Sequence, residues 1–169
     1  MTATLPNETS LASLLGTVEE AMTGKVLAVA ADTPADVAAR RLEQAAVSGA
    51  PVVDRGRVVG VVTIRDLLAP ALVAGTNVQT TGPFLRYEHH LPGYRVQDLM
   101  TAEPVTARAD WPLARVVVAM EEAGVNRVPV VDGDGRPVGI LTRDDVLRAL
   151  ARRLRRNPPV SRRPQIEPD

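Results

Sequence analysis

The chain contains itself twice. Val18-Glu-Glu-Ala-Met22-Thr23 returns as Val96-Gln-Asp-Leu-Met100-Thr101, an offset of about 78 residues. The same offset carries Asp32 onto Asp110, Pro34 onto Pro112, Glu43 onto Glu121, Val47 onto Val125, and Pro51-Val-Val-Asp54 onto Pro129-Val-Val-Asp132. One extra residue in the turn Gly133-Asp-Gly135 then shifts the register, and Gly56, Gly60, Thr63 and Asp66 fall on Gly135, Gly139, Thr142 and Asp145. A tandem duplication limits the fold: each copy must be a small unit, and the two must bury a shared surface.

Within each copy the pattern reads β-α-β-β-α. Residues 9–22 and 96–100 read as lead-in helices, the first capped by Thr9 or Ser10, and brief strands follow at about 26–29 and 104–107. Asp32-Thr-Pro34 and Asp110-Trp-Pro112 signal helix starts with proline in the first turn, where its missing N–H costs nothing. Leu113, Val116, Val117, Met120 and Ala123 recur at helical spacing, as do Ala35, Ala38, Ala39, Leu42 and Ala45, so each helix buries one face. Strand pairs at 50–54 with 57–63, and 128–132 with 137–142, are joined by glycine-containing turns and read as hairpins. Last helices begin after Thr63 and Thr142, the second running through the arginines at 152–156 until Asn157-Pro-Pro159 stops it. One such unit is too small to cover its own sheet. The expected fold is α/β, with the two units packed sheet to sheet about a pseudo-two-fold axis. The expected boundaries are 1–17 for a lead-in, 18–68 for repeat 1, 69–95 for a linker, 96–147 for repeat 2 and 148–169 for a helix end with an Arg/Pro-rich tail.

Composition narrows the chemistry. Hydrophobic residues make up 45% but aromatics only 2%, which calls for an aliphatic core. Lys+Arg and Asp+Glu balance at 20 each, so no global charge draws the chain to nucleic acid or anionic lipid. Without cysteine there is no thiolate metal site, disulfide or cysteine nucleophile. No apolar run approaches a membrane span and the start does not read as a signal peptide, so the expected setting is soluble and cytoplasmic. No nucleophile–base–acid set, P-loop or dinucleotide glycine-rich fingerprint is present, so an enzyme is not expected.

The doubled marks (Met-Thr, Asp-x-Pro, Pro-Val-Val-Asp, and Gly followed by two apolar residues and Thr-x-x-Asp) occur in order over about 18–68 and 96–147. In this the chain resembles the CBS domain, named from cystathionine beta-synthase, in its tandem form, the Bateman module. The resemblance implies a small regulatory module rather than a catalyst, one that senses AMP, ADP, ATP or a related adenosyl ligand in clefts between its repeats. It requires no other cofactor and implies a disc-shaped homodimer acting on an unidentified protein partner. It further implies that Asp66 and Asp145 accept hydrogen bonds from ribose hydroxyls, and that Thr63 and Thr142 face ribose or phosphate. The backbone at Leu27, Ala28, Val105 and Thr106 meets the adenine edge, and Val52, Val61, Val130 and Ile140 flank the base.

Physical chemistry supports the ribose assignment, since an ionised carboxylate offers several acceptor positions and a helix start offers free N–H groups for phosphate. It also offers a plainer alternative, because Thr-x-x-Asp at a helix start is an ordinary capping arrangement, compatible with binding. The copies differ at Asn126-Arg127, which replaces Ser48-Gly49. Arg127 is either a phosphate contact, with Arg65 and Arg143 as further candidates, or the partner of a surface carboxylate. His89-His90 lacks a third ligand and does not read as a metal site. The linker aromatics Phe84, Tyr87 and Tyr94 suit packing on the module or on a second subunit. Arg152, Arg153, Arg155, Arg156, Arg162 and Arg163 suit a solvated helix end and tail, with nucleic-acid binding as the alternative. A ligand-free dimerisation or docking module is the other alternative.

Overall fold

The computed structural model describes residues 15–73 and 93–156. The expected cap at Thr9 or Ser10, the linker residues Phe84, Tyr87, His89 and His90, and the tail from Asn157 lie outside the described residues. The elements are α1 Val18–Ala21, β1 Thr23–Gly24, β2 Val29–Ala30, α2 Ala35–Gln44, β3 Gly49–Asp54, β4 Arg57–Thr63 and α3 Ile64–Val73. They continue as α4 Val96–Leu99, β5 Thr101–Ala102, α5 Leu113–Glu122, β6 Arg127–Val131, β7 Pro137–Thr142 and α6 Arg143–Arg156. Among the described residues no helix is long and apolar enough to cross a membrane.

Two sheets form, β1-β7-β6 and β2-β3-β4-β5. Their make-up shows an exchange between the copies. The lead-in strand of repeat 1, β1, pairs with β7 of repeat 2, and the lead-in strand of repeat 2, β5, pairs with β4 of repeat 1. The helices follow their strands. Val18 N–H donates to the Trp111 carbonyl, and Val96 N–H donates to the Thr33 carbonyl, each at 2.9 Å. Two aliphatic cores result: Val18 and Ala21 are buried with Leu113, Val116, Val128 and Leu141, whereas Val96 is buried with Val29, Leu42, Val52 and Leu67.

The exchange explains two of the repeated marks. Met22 lies over Gly139 and Met100 over Gly60; a Cβ on Gly139 would stand 2.7 Å from the Met22 sulfur and 2.9 Å from the Thr23 carbonyl. Methionine in one copy and glycine in the other are thus two sides of one contact. Since only glycine lets backbones approach so closely, neither mark is explicable within its own repeat.

The hairpins sit where expected. Arg55 and Gly56, with φ of 46° and 79°, make the two-residue turn between β3 and β4 whose twist suits a hairpin. In repeat 2 the Asp132 carboxylate accepts the Asp134 and Arg136 N–H groups at 2.9 Å each, and the Arg136 N–H in particular holds its pKa below the ordinary value. Helices α2 and α5 both close with a left-handed residue, Ala46 and Gly124, followed by a valine whose N–H returns to Leu42 and Met120. This turn delivers Ser48-Gly49 and Asn126-Arg127 to the ends of β3 and β6. The sheets face each other, with β3 against β7 and β4 against β6.

Several expectations are corrected. The chain is not helical throughout the described part of 9–22: Gly16 takes φ +75° and Thr17 is extended, and the helix starts only at Val18. The brief strand at 26–29 shrinks to Val29–Ala30, and that at 104–107 to a bridge between Ala107 and Val130. Pro34 and Pro112 sit at the N-cap with extended ψ, not in the first turn, and Ala45 and Ala123 fall at the C-caps, exposed.

Candidate functional site

The ends of β4 and β7 run directly into α3 and α6, and the same exchange of hydrogen bonds closes both junctions. Thr63 donates its N–H and hydroxyl to Asp66 Oδ2 at 2.8 and 2.7 Å, while its Oγ1 accepts the Asp66 N–H at 3.2 Å. Thr142 does the same for Asp145 Oδ2 at 2.8 and 2.5 Å, with the return bond at 3.3 Å. Both Thr-x-x-Asp marks are therefore helix caps, which satisfies donors that α3 and α6 leave open. Capping uses one carboxylate oxygen and leaves the other to its surroundings.

Those surroundings differ. Beside Asp66 opens a cavity of about 310 Å³, within the range of about 300–1,000 Å³ usual for small-molecule sites. Repeat 1 supplies Val61, Thr63 and Asp66. The rest comes from repeat 2: Thr101, Glu103, Pro104 and Val105 from its lead-in, and Val125, Asn126 and Arg127 from the end of α5 and the start of β6. Among the described residues no donor reaches Asp66 Oδ1.

Arg127 crosses from its own strand toward repeat 1. One guanidinium nitrogen donates to Ser48 Oγ at 3.1 Å, and the absence of a side chain at Gly49 makes room for the rest, since a Cβ there would overlap the guanidinium. Burial lowers the Arg127 pKa from its ordinary value, and the nearby Asp66 charge partly restores it. Among the described residues no carboxylate lies within ion-pairing distance of it.

At the equivalent position of the other half, Thr23, Ile140, Thr142 and Asp145 come together. Here Asp145 is only 4% exposed. Its Oδ1 accepts from Arg148 at 2.6 Å and from Thr23 Oγ1 at 3.5 Å. Burial pushes the Asp145 carboxyl up, but the hydrogen bonds from Thr142 and Arg148 outweigh it and hold the pKa below the usual carboxylate value.

Of the residues anticipated from sequence, Thr63, Asp66, Arg127, Val61 and Val105 share the cavity. Thr142 and Asp145 form the second junction. Val52 and Val130 are fully buried core residues and Ile140 nearly so, and none of the three lines the cavity beside Asp66. Arg65 and Arg143 are exposed on the helices and Thr106 is half-buried, but none of the three lines the cavity. Leu27 and Ala28 are half-buried; Leu27 packs against the core of the half formed by β2-β3-β4-β5. Glu103 and Pro104 carried no sequence signal of a cavity role, while Thr101 and Asn126 stood inside or beside repeated marks.

The CBS domain family model matches residues 18–70 and 96–152. A CBS domain-containing protein of Dictyostelium discoideum is 31% identical over 150 residues, covering 85% of this chain and 97% of the relative. The crystal structure of CBSX2 in complex with AMP is similar with a TM-score of 0.63 and 34% identity over 81% of this chain and 97% of that one. The aligned region spans 55% of the full chloroplastic CBSX2 of Arabidopsis thaliana. The CBS domain pair of protein MJ0100, in complex with 5-methylthioadenosine and S-adenosyl-L-methionine, has a TM-score of 0.62 at 26% identity, covering 78% of this chain and 97% of that one. With both copies matched in order, and with the lead-in strands exchanged between two facing sheets, the chain belongs to the CBS domain family as a tandem pair.

Proposed function

We propose that this CBS pair is a regulatory sensor that binds an adenosine 5′-phosphate in the cavity between Asp66 and Arg127, rather than a catalyst. The observation that carries this is that one cavity is lined both by a carboxylate with one oxygen unbonded and by a half-buried guanidinium with no carboxylate partner, each among the described residues. Asp66 Oδ1 suits the ribose hydroxyls and Arg127 suits the phosphate. Val61, Pro104 and Val105 provide apolar surface for the base. The complexes of CBSX2 with AMP and of MJ0100 with adenosyl ligands support the same ligand class. Sensing requires that the ligand prefer one arrangement of the two halves, because equal affinity for both shifts nothing.

Calorimetric titration of AMP, ADP, ATP and S-adenosylmethionine into the wild type and Asp66→Asn tests the assignment. Binding by the wild type that weakens at least tenfold in Asp66→Asn supports it. Absence of binding by all four ligands refutes it and favours a ligand-free docking module.

A second proposal concerns assembly. Helix α6 leaves Leu147, Leu150 and Leu154 exposed at 58%, 41% and 50%, an i, i+3, i+7 stripe on one face. Such a face fits a homodimer contact. Sedimentation of the wild type as a dimer and of Leu150→Glu as a monomer supports this, and a monomeric wild type at micromolar concentration refutes it.

A further inference from the structure

We propose that the two junctions are unequal by design: each chain has one nucleotide site, at Asp66, and the equivalent site at Asp145 is silenced by Arg148, which occupies its carboxylate. The proposal rests on the nucleotide reading above and adds to it the stoichiometry and the residue that sets it.

An ionised carboxylate has about four lone-pair positions. At Asp145 the Thr142 N–H and hydroxyl take two on Oδ2 and Arg148 takes a third on Oδ1 at 2.6 Å, with Thr23 Oγ1 standing 3.5 Å from the last. At Asp66 the Thr63 N–H and hydroxyl fill Oδ2, while no donor among the described residues reaches Oδ1. A ribose diol brings two hydroxyl donors and needs two positions. Asp66 has them and Asp145 does not.

The difference traces to single positions in an otherwise duplicated chain. Arg148 stands three residues after Asp145 on α6, one turn along the same face. The residue three after Asp66 on α3 is Ala69, which has nothing to donate. Thr23 also bonds Asp145, whereas its counterpart Thr101 lines the open cavity. The guanidinium that faces the Asp66 cavity, Arg127, has Gly49 as its counterpart, so the Asp145 junction lacks that phosphate contact as well. The pair of Arg148 and Asp145 is not an ordinary surface ion pair, because its carboxylate is 5% exposed even though the arginine is 62% exposed. The same donors depress the Asp145 pKa, so the carboxylate stays ionised and holds Arg148 across the physiological range.

The test is a calorimetric titration of full-length chains with AMP and with adenosine, reading stoichiometry. The wild type is expected to bind one AMP per chain. Arg148→Ala, an exposed substitution, is expected to gain a second adenosine-accepting site, giving two per chain, while Asp145→Asn leaves the wild-type AMP affinity unchanged. The reciprocal variant Ala69→Arg is expected to weaken AMP binding at least tenfold by closing the Asp66 cavity in the same way. Two AMP per wild-type chain, or a stoichiometry of one for both ligands in Arg148→Ala, overturns the inference and leaves the nucleotide reading intact. A wild type that binds neither ligand overturns both.

Discussion

Replacing Arg127 with methionine separates the phosphate from the rest of the ligand. The side chain keeps much of its length and apolar stem but loses the guanidinium, whose one described hydrogen bond within the protein is to Ser48 Oγ at 3.1 Å. Because burial already disfavours the charged form of Arg127, methionine should leave the fold intact or slightly stabilised. Hydrogen bonds to charged groups contribute about 1.5–3 kcal/mol, and each 1.4 kcal/mol is about tenfold in affinity, so AMP should weaken roughly 10- to 150-fold. Adenosine, which lacks the phosphate, should bind wild type and variant alike. The assay is calorimetry with both ligands on both proteins, with thermal denaturation as the check on folding. Equal weakening of AMP and adenosine would place Arg127 at the nucleoside rather than the phosphate. An unchanged AMP affinity would remove it from the site altogether.

Other expectations follow from the packing and the charges. Gly139→Ala pushes a methyl against the Met22 sulfur and the Thr23 carbonyl, so it should destabilise by about 1–3 kcal/mol, with partial recovery when Met22→Ala is added. Ala46 holds φ 52° where its counterpart is Gly124, so Ala46→Gly relieves about 1–2 kcal/mol of left-handed strain against about 0.5–1 kcal/mol of added chain entropy. Its melting temperature should therefore rise by a few degrees. Asp145 has a folded pKa below its unfolded one, so its ionised form stabilises the protein above about pH 4 and that contribution is lost as pH falls through the folded value. The gap in melting temperature between wild type and Asp145→Asn should be constant from pH 6 to 8 and shrink below about pH 4; a gap that widens in acid would contradict the sign.

How far the chain could be read without coordinates depended on the kind of signal. The duplication, the hairpins and the buried faces of α2 and α5 were legible because period-two and period-3.6 patterns extend over many residues, as in Leu113, Val116 and Met120. The exchange of lead-in strands was not. Thr23–Gly24 and Thr101–Ala102 are two residues each, too short to carry a period, and the glycines that receive Met22 and Met100 lie in the opposite repeat. At the site, Thr63, Asp66 and Arg127 were marked by repetition or by departure from it. Val52 and Val130 looked like base-flanking residues, yet strand alternation alone does not tell a cleft wall from a core, and here both are core. Arg148 gave no signal at all, because an arginine three residues from an aspartate on a helix is commonplace. Only the burial of Asp145 gives that pair its meaning.

The most direct measurement is a crystal structure of the full chain grown with AMP. The expected result is one nucleotide per chain, its ribose hydroxyls within hydrogen-bonding distance of Asp66 Oδ1, its phosphate against Arg127, and Arg148 still on Asp145. AMP ordered at Thr142 and Asp145 with the Asp66 cavity empty would contradict the account.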